Sequence, residues 1–307
     1  MKRLKSLIVA VPVAVVWIAL AFTAFGLLVT CRSNPEVDRT EISAFRVVQD
    51  DLGRNVQLPV RIERAISLAP SLTESIFAVG AGDKLVGVTT YCNFPSEAQS
   101  IQKVSDTQTP NIETIVALRP QVVFVSTASQ LEAFMQTLEE RNIAVFVTNS
   151  NSLEDVFQSV EQFGELFGTA DQAEELVNTL NERLAAIKTK IAAEPSKSVF
   201  LQISKEPLFT AGKDSFLTEL VAIAGGRSVT AEVPSGYPKL SKETALALNP
   251  EALILSDSPD NQEPNDVFKN SPAIRNGRVY RINADIISRP GPRSIDALEE
   301  IARVLHQ

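Results

Sequence analysis

At 307 residues the chain has room for two modest domains, and its 44% hydrophobic and 21% charged residues exclude a disordered or fibrous chain. The formal net charge is −8, and the cations Lys2, Arg3 and Lys5 stand in an N-terminal segment without acids, which leaves about −11 for the rest. That balance excludes the basic stripe of a nucleic-acid surface.

Met1 to Lys5 is basic, Leu7 to Val29 is almost wholly apolar, and Cys31 follows Leu28-Val29-Thr30. The pattern is that of a bacterial export signal ending at a lipidated cysteine, with Thr30 where a smaller residue is usual. An uncleaved apolar anchor, basic end inside, is the alternative. Both place the remainder outside the cytoplasm and tethered to a membrane; the lipidated Cys31 is favoured. Cys92, the other cysteine, then has no partner, and no disulfide is expected.

Residues 1–31 are thus a leader and 32–44 a polar tether. Phe45 to Leu58 alternates around Asp51-Leu52-Gly53-Arg54-Asn55, which predicts a β-hairpin. Ala65 to Leu68 is a short strand ended by Pro70. Ser71 is placed to cap a helix through Ala78, with Glu74 completing a capping box and Ala81-Gly82-Asp83 closing it. Leu85 to Val88 is a strand, Asn111 caps a helix over Ile112 to Leu118, and Pro120 forbids its continuation. Val122 to Val125 reads as a buried parallel strand, Leu131 to Arg141 as a helix and Ala144 to Val147 as a strand. Strands alternating with helices predict a parallel-sheet α/β lobe over 45–152. Leu153 to Phe167 and Asp171 to Ala193 are then helical with no strand between, and Leu176, Leu180, Leu184, Ile187 and Ile191 share one face of the second. Residues 153–195 form a stiff helical strut, and 196–307, opening on Val199 to Ile203, resume βα alternation as a second α/β lobe.

The chain repeats a phrase. Glu113-Thr114-Ile115-Val116-Ala117-Leu118-Arg119-Pro120 is echoed by Glu243-Thr244-Ala245-Leu246-Ala247-Leu248-Asn249-Pro250, each running into an apolar strand. Leu72-Thr73-Glu74 before Ala81-Gly82 is likewise echoed by Leu217-Thr218-Glu219 before Gly225-Gly226. Two similar lobes imply a cleft between them, a common place for a small ligand.

Signals for catalysis fail. His306 is the single histidine, read as a solvated terminal residue, and its solitude removes His-based triads and His-rich metal sites. Gly212-Lys213-Asp214-Ser215 lacks the first glycine of a phosphate loop and has Asp214 at the magnesium-binding position. Ser100-Ile101-Gln102-Lys103 matches Ser-x-x-Lys without its partner motifs. Binding signals are stronger. Pro70, Tyr91-Cys92-Asn93-Phe94-Pro95, Phe209-Thr210-Ala211-Gly212 and Gly236-Tyr237-Pro238 all follow predicted strands, where open α/β sheets hold ligands and aromatic rings offer area with few rotors to freeze. Cys92 reads as a buried, unreactive thiol.

Together Ser67-Leu68-Ala69-Pro70-Ser71-Leu72-Thr73-Glu74, Tyr91-Cys92-Asn93-Phe94-Pro95, Asn111-Ile112-Glu113, Phe209-Thr210-Ala211-Gly212-Lys213 and Arg289-Pro290-Gly291-Pro292-Arg293 resemble the helical-backbone (class III) substrate-binding proteins of ABC importers. The resemblance runs from Phe45 to the C-terminus and is greatest to the cobalamin-binding branch, with iron-siderophore and haem binders next. It implies two parallel-sheet α/β lobes joined by a long backbone helix, with the ligand between them. It implies that Pro70, Tyr91, Phe94, Thr107, Phe209, Tyr237, Asp285 and Arg289 line the cleft; Tyr237 stands where a tryptophan is often found, and Thr107 where an aromatic can cover the ligand. It further implies that Glu113 and Glu243 dock onto arginines of the two permease subunits, a pairing that a pseudo-symmetric pair of anions suits. An acid at a helix start also offsets the helix dipole.

The expectation is therefore a monomeric, membrane-tethered, extracytoplasmic binding protein that delivers cobalamin to an ABC importer, with no catalytic residue, metal or cofactor of its own. An iron-siderophore or haem binder of the same fold is the nearer alternative, Tyr91, Cys92 and Tyr237 being possible axial ligands. A two-lobed α/β enzyme using Asp285 and Cys92, and a ligand-sensing ectodomain, are the others.

Overall fold

The computed structural model describes residues 44–106, 109–127 and 132–307. The leader with Cys31, the tether before residue 44, and Thr107 lie outside the described residues. Strands β1 (Phe45–Gln49) and β2 (Asn55–Pro59) form the antiparallel hairpin the alternation predicts, turning at Gly53 with φ 75°. Buried Asp50 pins it: its carboxylate accepts from Leu52 N (3.1 Å), Arg54 N (2.9 Å), Arg54 Nε (2.9 Å), Arg54 Nη2 (2.7 Å) and Val147 N (3.3 Å). A buried carboxylate with that many donors is satisfied in place.

The first lobe is a five-stranded parallel sheet of β3 (Ala65–Ser67), β4 (Leu85–Thr89), β5 (Lys103–Ser105), β6 (Val122–Ser126) and β7 (Ala144–Thr148), in the order β5-β4-β3-β6-β7. Three-residue β5 escaped the sequence reading, being too short to show a period. Helices α1 (Pro70–Ala78), α2 (Ile112–Ala117) and α3 (Glu132–Glu139) connect the strands. The second lobe orders β10 (Gly226–Ser228), β8 (Lys197–Ser204), β11 (Ala252–Asp257) and β12 (Val279–Asn283) in parallel, with β9 (Phe209–Thr210) antiparallel to β8. Its helices are α6 (Phe216–Ile223), α7 (Lys242–Leu248), α8 (Pro272–Arg275), α9 (Ala284–Ile287) and α10 (Ser294–Leu305).

Between the lobes run α4 (Leu153–Phe167) and α5 (Ala170–Ile191). Ser152 and Asp155 close a capping box at the start of α4, and Gly168 at φ 75° ends it. Helix α5 has 22 residues, hence a length of about 33 Å. One continuous core packs both sheets against this pair: Val122 and Phe124 of β6, Val199 and Leu201 of β8, and Ala252 and Ile254 of β11 join Phe163, Val177 and Leu180. The alternate residues face outward into a separate core for each lobe, Val123 and Val125 in one, Phe200, Leu253 and Leu255 in the other. Period-two alternation thus persists inside strands buried on both faces. Arg183 ties α5 to α10 through Asp296 (2.7 Å) and Glu299 (2.8 Å).

The repeat is structural. Helices α2 and α7 are each capped by a polar side chain accepting from the threonine of the phrase, Asn111 from Thr114 N and Ser241 from Thr244 N. Arg119 (φ 46°) and Asn249 (φ 43°) then turn the chain through the left-handed region into buried Pro120 and Pro250. Strand β6 pairs with β3 and β11 with β8, the first strand of each lobe's sheet.

Two local expectations are corrected. Ser71 does not cap α1: Pro70 is already its first residue, since a proline lacks the N–H that a cap would satisfy and holds helical φ, and Ala69 is the cap position without a side-chain bond. The helix closes at Gly80, φ 80°, with Gly80 N bonding Phe77 O (2.9 Å) and Ala81 N bonding Ile76 O (3.0 Å); Gly80, not Gly82, matches Gly225, also at φ 80°.

Candidate functional site

The carboxyl edges of the two sheets confront each other, because the segments following β3 and β4 meet the segment following β12. After β4, Cys92 is buried with its Sγ 3.1 Å from Thr73 Oγ1 and 3.2 Å from Thr89 Oγ1, and Lys103 Nζ donates to Cys92 O (3.3 Å) and Ala98 O (2.8 Å). The thiol is a packing anchor. Pinned from below, the loop leaves Tyr91 56% and Phe94 44% exposed at its surface. Pro70 is half-buried beside it at the start of α1.

The facing lobe presents Tyr237, 53% exposed, on a segment laid across β9. Backbone bonds hold that segment: Thr210 N to Pro238 O (3.2 Å), Gly212 N to Gly236 O (2.8 Å), Lys213 N to Val233 O (2.8 Å) and Leu240 N to Leu208 O (2.9 Å). The approach demands glycine at 212, where a Cβ would stand 2.2 Å from Ser235 O. Phe209 is half-buried beneath. The Gly212-to-Ser215 stretch that resembled a phosphate loop is an ordinary helix entry, with Ser215 capping α6 through Thr218 N (3.1 Å).

An ionic joint closes one side. Glu74 of α1 is 3% exposed, and its carboxylate accepts from Arg289 Nη1 (2.9 Å), Arg293 Nε (2.8 Å) and Arg293 Nη2 (2.7 Å). Arg289 also donates to Asn93 Oδ1 (2.8 Å), Tyr91 O (3.3 Å) and Asp285 Oδ1 (2.5 Å), while Asn93 Nδ2 donates to Asp285 Oδ2 (2.8 Å). Arg293 lies 4.0 Å over the Phe94 ring, and Glu74 holds its pKa above the ordinary arginine value. The turn carrying both arginines is stiffened by Pro290 and Pro292, and Gly291 lets it rest on α1, where a Cβ would stand 3.4 Å from Ser71 O. Two guanidiniums thus face two carboxylates, and Arg289, cleft-lining by what the family resemblance implies, is engaged between the lobes with its terminal N–H groups on protein acceptors.

Sequence reasoning missed this joint. The local pattern makes Glu74 a capping residue and gives Asn93 and Arg293 no role. The signal was the echo: Glu219, its counterpart on α6, also reaches out of its helix, its Oε2 accepting from Leu153 N (2.9 Å) at the start of α4. Burial pushes the Glu219 carboxyl up, the Leu153 N–H opposes this, and the nearby Asp155 adds to the rise.

Glu113 and Glu243 lie exposed in the first turns of α2 and α7. Glu243 is held below the ordinary glutamate value by its own backbone N–H and the Ser241 hydroxyl. His306 is not a free terminal residue: its Nε2 lies 2.8 Å from Ala224 O, in a space that Gly225 leaves, where a Cβ would stand 2.8 Å from the ring. Asp285 is occupied by Arg289 and Asn93, and Cys92 is covered, so neither is poised as the nucleophile or base the enzyme reading needs.

Residues 66–286 match the family model described as periplasmic binding protein. The chain is 31% identical over 308 residues to a Bacillus subtilis protein described as the uncharacterized ABC transporter substrate-binding lipoprotein YvrC, covering 95% of this chain and 96% of that one. It is 31% identical over 246 residues to the vitamin B12-binding protein of Vibrio parahaemolyticus, covering 78% and 88%. The crystal structure of the periplasmic vitamin B12 binding protein BtuF of Vibrio cholerae superposes with a TM-score of 0.73 at 27% identity, covering 79% of this chain and 96% of that one. With two parallel-sheet lobes, a long helix between them and a family match over most of its length, the chain belongs to the periplasmic binding proteins, the extracytoplasmic substrate receptors of ABC transporters.

Proposed function

We propose that the cleft captures cobalamin and that the receptor hands it to the permease dimer of an ABC importer without making or breaking a bond. The observation that carries this reading is the set of exposed rings contributed by both lobes, Tyr91 and Phe94 on one side and Tyr237 on the other. Broad rings on two walls suit a large planar ligand. The Glu74–Arg289–Arg293–Asp285 joint supports the choice among such ligands. Its charges are matched internally, which suits the amide-fringed periphery of a corrinoid, whereas haem propionates and anionic siderophores gain most from unmatched cations. Similarity to vitamin B12-binding relatives points the same way. Thr107, outside the described residues, belongs to the proposed lining with Pro70 and Phe209, and a lipidated Cys31 is the proposed tether.

Titration of the purified chain with cyanocobalamin tests the ligand: saturable binding is expected, and none at roughly 50 µM removes cobalamin while leaving the receptor fold. Haem is the second reading, because the exposed phenols of Tyr91 and Tyr237 offer axial oxygens; a visible absorption band on adding haem, lost in Tyr91→Phe or Tyr237→Phe, favours it. Glu113 and Glu243, one on each lobe, are proposed to meet cations of the two permease subunits.

A further inference from the structure

Among the described residues, the large apolar side chains left exposed outside the cleft are densest on the hairpin and its exit: Phe45 at 59%, Val47 at 68% and Val60 at 52%, with Leu52 at the turn. Strand alternation sorts them. Arg46 and Val48 of β1 turn in toward the protein, while Phe45, Val47 and Gln49 of β1 and Asn55 and Gln57 of β2 face out. On that outer face the character changes along the hairpin. Phe45 pairs with Pro59, which Val60 follows, whereas Gln49 pairs with Asn55 beside the turn. The apolar end is thus the end at which the chain enters from residue 44, and the polar end adjoins the turn. Backbone contacts orient the hairpin. Asp51 N donates to Val147 O (3.1 Å) near the carboxyl end of β7. Arg46 donates to Glu165 O (3.0 Å) and Leu166 O in the last turn of α4, which starts beyond the carboxyl end of β7 and packs back along the sheet. Phe45 borders the same hollow as Ile143 and Ala144, where β7 begins. Phe45, Val47 and Val60 therefore lie at the amino edge of the first lobe, away from the carboxyl edges that form the cleft.

We propose that this end of the hairpin rests on the lipid surface of the membrane that holds the tether, with Phe45 and Val47 entering the headgroup layer and Val60 beside them. The proposal rests on the tethered, extracytoplasmic reading of the receptor and not on its ligand. The occupant follows from where the chain leaves the structure and from how little of it remains before the membrane. Residues 32–44, thirteen in all, separate Cys31 from Phe45. As a flexible coil such a segment spans about 20 Å on average. Phe45 is both the first residue after the tether and a member of the patch, so lipid is presented to it at high effective concentration. The uncleaved-anchor alternative gives the same result, because the apolar run ends at Val29. Charge points to apolar burial as the holding force. The chain beyond its leader carries about −11, which draws it to no anionic surface. Arg61, next to Val60 and with a side chain 83% exposed, is paired with Glu63 (2.7 Å). Phe and Val side chains entering the boundary between headgroups and acyl chains are the usual means of such a contact. Resting on this edge, the receptor keeps its cleft on the side away from lipid, open to solute. Fully extended, the same thirteen residues reach about 45 Å, so the contact can break for delivery without the receptor leaving the membrane.

The test is tryptophan fluorescence of the full chain reconstituted in phosphatidylcholine vesicles, with and without bromine on the acyl chains. Trp17 is the chain's single tryptophan, so each variant carries Trp17→Phe and one new ring, Val47→Trp on the patch or Leu52→Trp at the exposed turn. A side chain at the interface sits about 5–10 Å into the boundary, within reach of the bromines, so Val47→Trp is expected to lose about half of its emission. Leu52→Trp, about 15 Å farther along the hairpin, should lose almost none. Adding Phe45→Ser and Val60→Ser should return the Val47→Trp emission to its level in unbrominated vesicles. Sodium chloride at about 1 M should leave the quenching in place, since charge does not hold the contact. No quenching at position 47, equal quenching at both positions, or quenching lost in salt overturns the proposal. Emission from position 47 that is shifted to the blue yet unquenched overturns it too, because the cover is then protein, a second copy of the chain or its 32–44 segment. A chain that does not float with the vesicles removes the tether and the contact together. Cyanocobalamin titration of the same samples is independent: failure to bind there removes the ligand assignment and leaves the lipid contact standing.

Discussion

Glu74→Gln tests whether the ionic joint holds the lobes in register. The substitution keeps the volume of the side chain and one acceptor, and removes the charge that three guanidinium N–H groups address. The Glu74 side chain is 2% exposed and those of Arg289 and Arg293 are 12% and 20% exposed, so the interaction is not the screened surface kind. Breaking one partner of a buried pair costs about 3–5 kcal/mol. Asp285 still neutralises Arg289, and Arg293 keeps the Phe94 ring and some solvent, which puts the cost near the lower end, about 3 kcal/mol. For a domain of this size each kcal/mol moves the melting temperature by about 2–4 °C, so a fall of about 6–12 °C is expected by differential scanning calorimetry. Pairing it with Arg293→Gln in a double-mutant cycle should recover a coupling of about 1–3 kcal/mol. X-ray scattering should show a larger radius of gyration for Glu74→Gln, as the two lobes part on that side. A melting temperature within a degree of the unaltered chain, with unchanged scattering, would refute the reasoning and leave the network a decoration of the cleft rim.

Other outcomes follow from the same geometry. Tyr91→Ala and Tyr237→Ala should each weaken cyanocobalamin binding by about tenfold in calorimetric titration, since each removes one exposed ring of the proposed lining; unchanged affinity in both would move the ligand elsewhere. Gly212→Ala forces a Cβ against the Ser235 carbonyl and displaces the segment carrying Tyr237, so a loss of about 1–3 kcal/mol in urea unfolding, with weakened ligand binding, is expected. Glu219 has its pKa raised in the folded state, so that state binds more protons between the unfolded and folded values, and the stability it contributes falls as pH rises through that window. Glu219→Gln keeps an acceptor for Leu153 N without the charge, and should be no less stable than the unaltered chain at pH 7, any advantage closing below about pH 4.5; a large loss of stability at pH 7 would contradict this.

The backbone plan was legible because period and punctuation agree along the chain. Pro120 and Pro250 stop equivalent helices, Ser152 and Asp155 announce α4, and Val122 to Val125 is apolar throughout, as a strand covered on both faces must be. The exposed rings were legible as well, since aromatics follow strands in both halves. What stayed hidden depends on contacts between distant residues. Ser71-x-x-Glu74 satisfies the local pattern of a capping box, and nothing near it in sequence reveals that Arg289, 215 positions on, takes the carboxylate. Arg289 stands out in the sequence, while its hydrogen-bond partners do not, because a guanidinium between two lobes serves a ligand or a lobe equally well until its neighbours are known. His306 misled for the same reason: at the chain end a polar residue reads as solvated, but the missing side chain of Gly225 opens a place for its ring.

The two echoes have taken opposite directions, and magnitudes decide what each can do. Glu74 turns inward to the facing lobe and Glu219 to the start of α4, while Glu113 and Glu243 lie exposed. Helix α5 packs along the core shared by both lobes, and bending it would break backbone hydrogen bonds, so the cleft does not open readily by flexing its strut. A partner that parts the lobes must therefore supply what the joint holds, at most the roughly 3 kcal/mol that breaking it by substitution costs, since parted lobes return the charges to water. On the proposed docking reading, two exposed ion pairs at Glu113 and Glu243 would supply about 0.2–1 kcal/mol each, which falls short of that bound. Covering the exposed Val116 and Leu246, each three residues after one of those acids, would add about 1–2 kcal/mol apiece, allowing for the part of each already buried, and would close the gap. On this reckoning the acids would govern encounter and the apolar residues release. Glu113→Gln with Glu243→Gln should slow association with the importer and flatten its salt dependence while leaving the yield of delivered ligand per encounter nearly intact. Val116→Ser with Leu246→Ser should leave association and its salt dependence alone but lower delivery per encounter by about tenfold or more, and Glu74→Gln should restore much of that loss by weakening the joint. Stopped-flow transfer of labelled cyanocobalamin to the importer in proteoliposomes separates the two steps; equal effects of both pairs on both steps, or no rescue by Glu74→Gln, would show that the outer patches and the inner joint are not opposed.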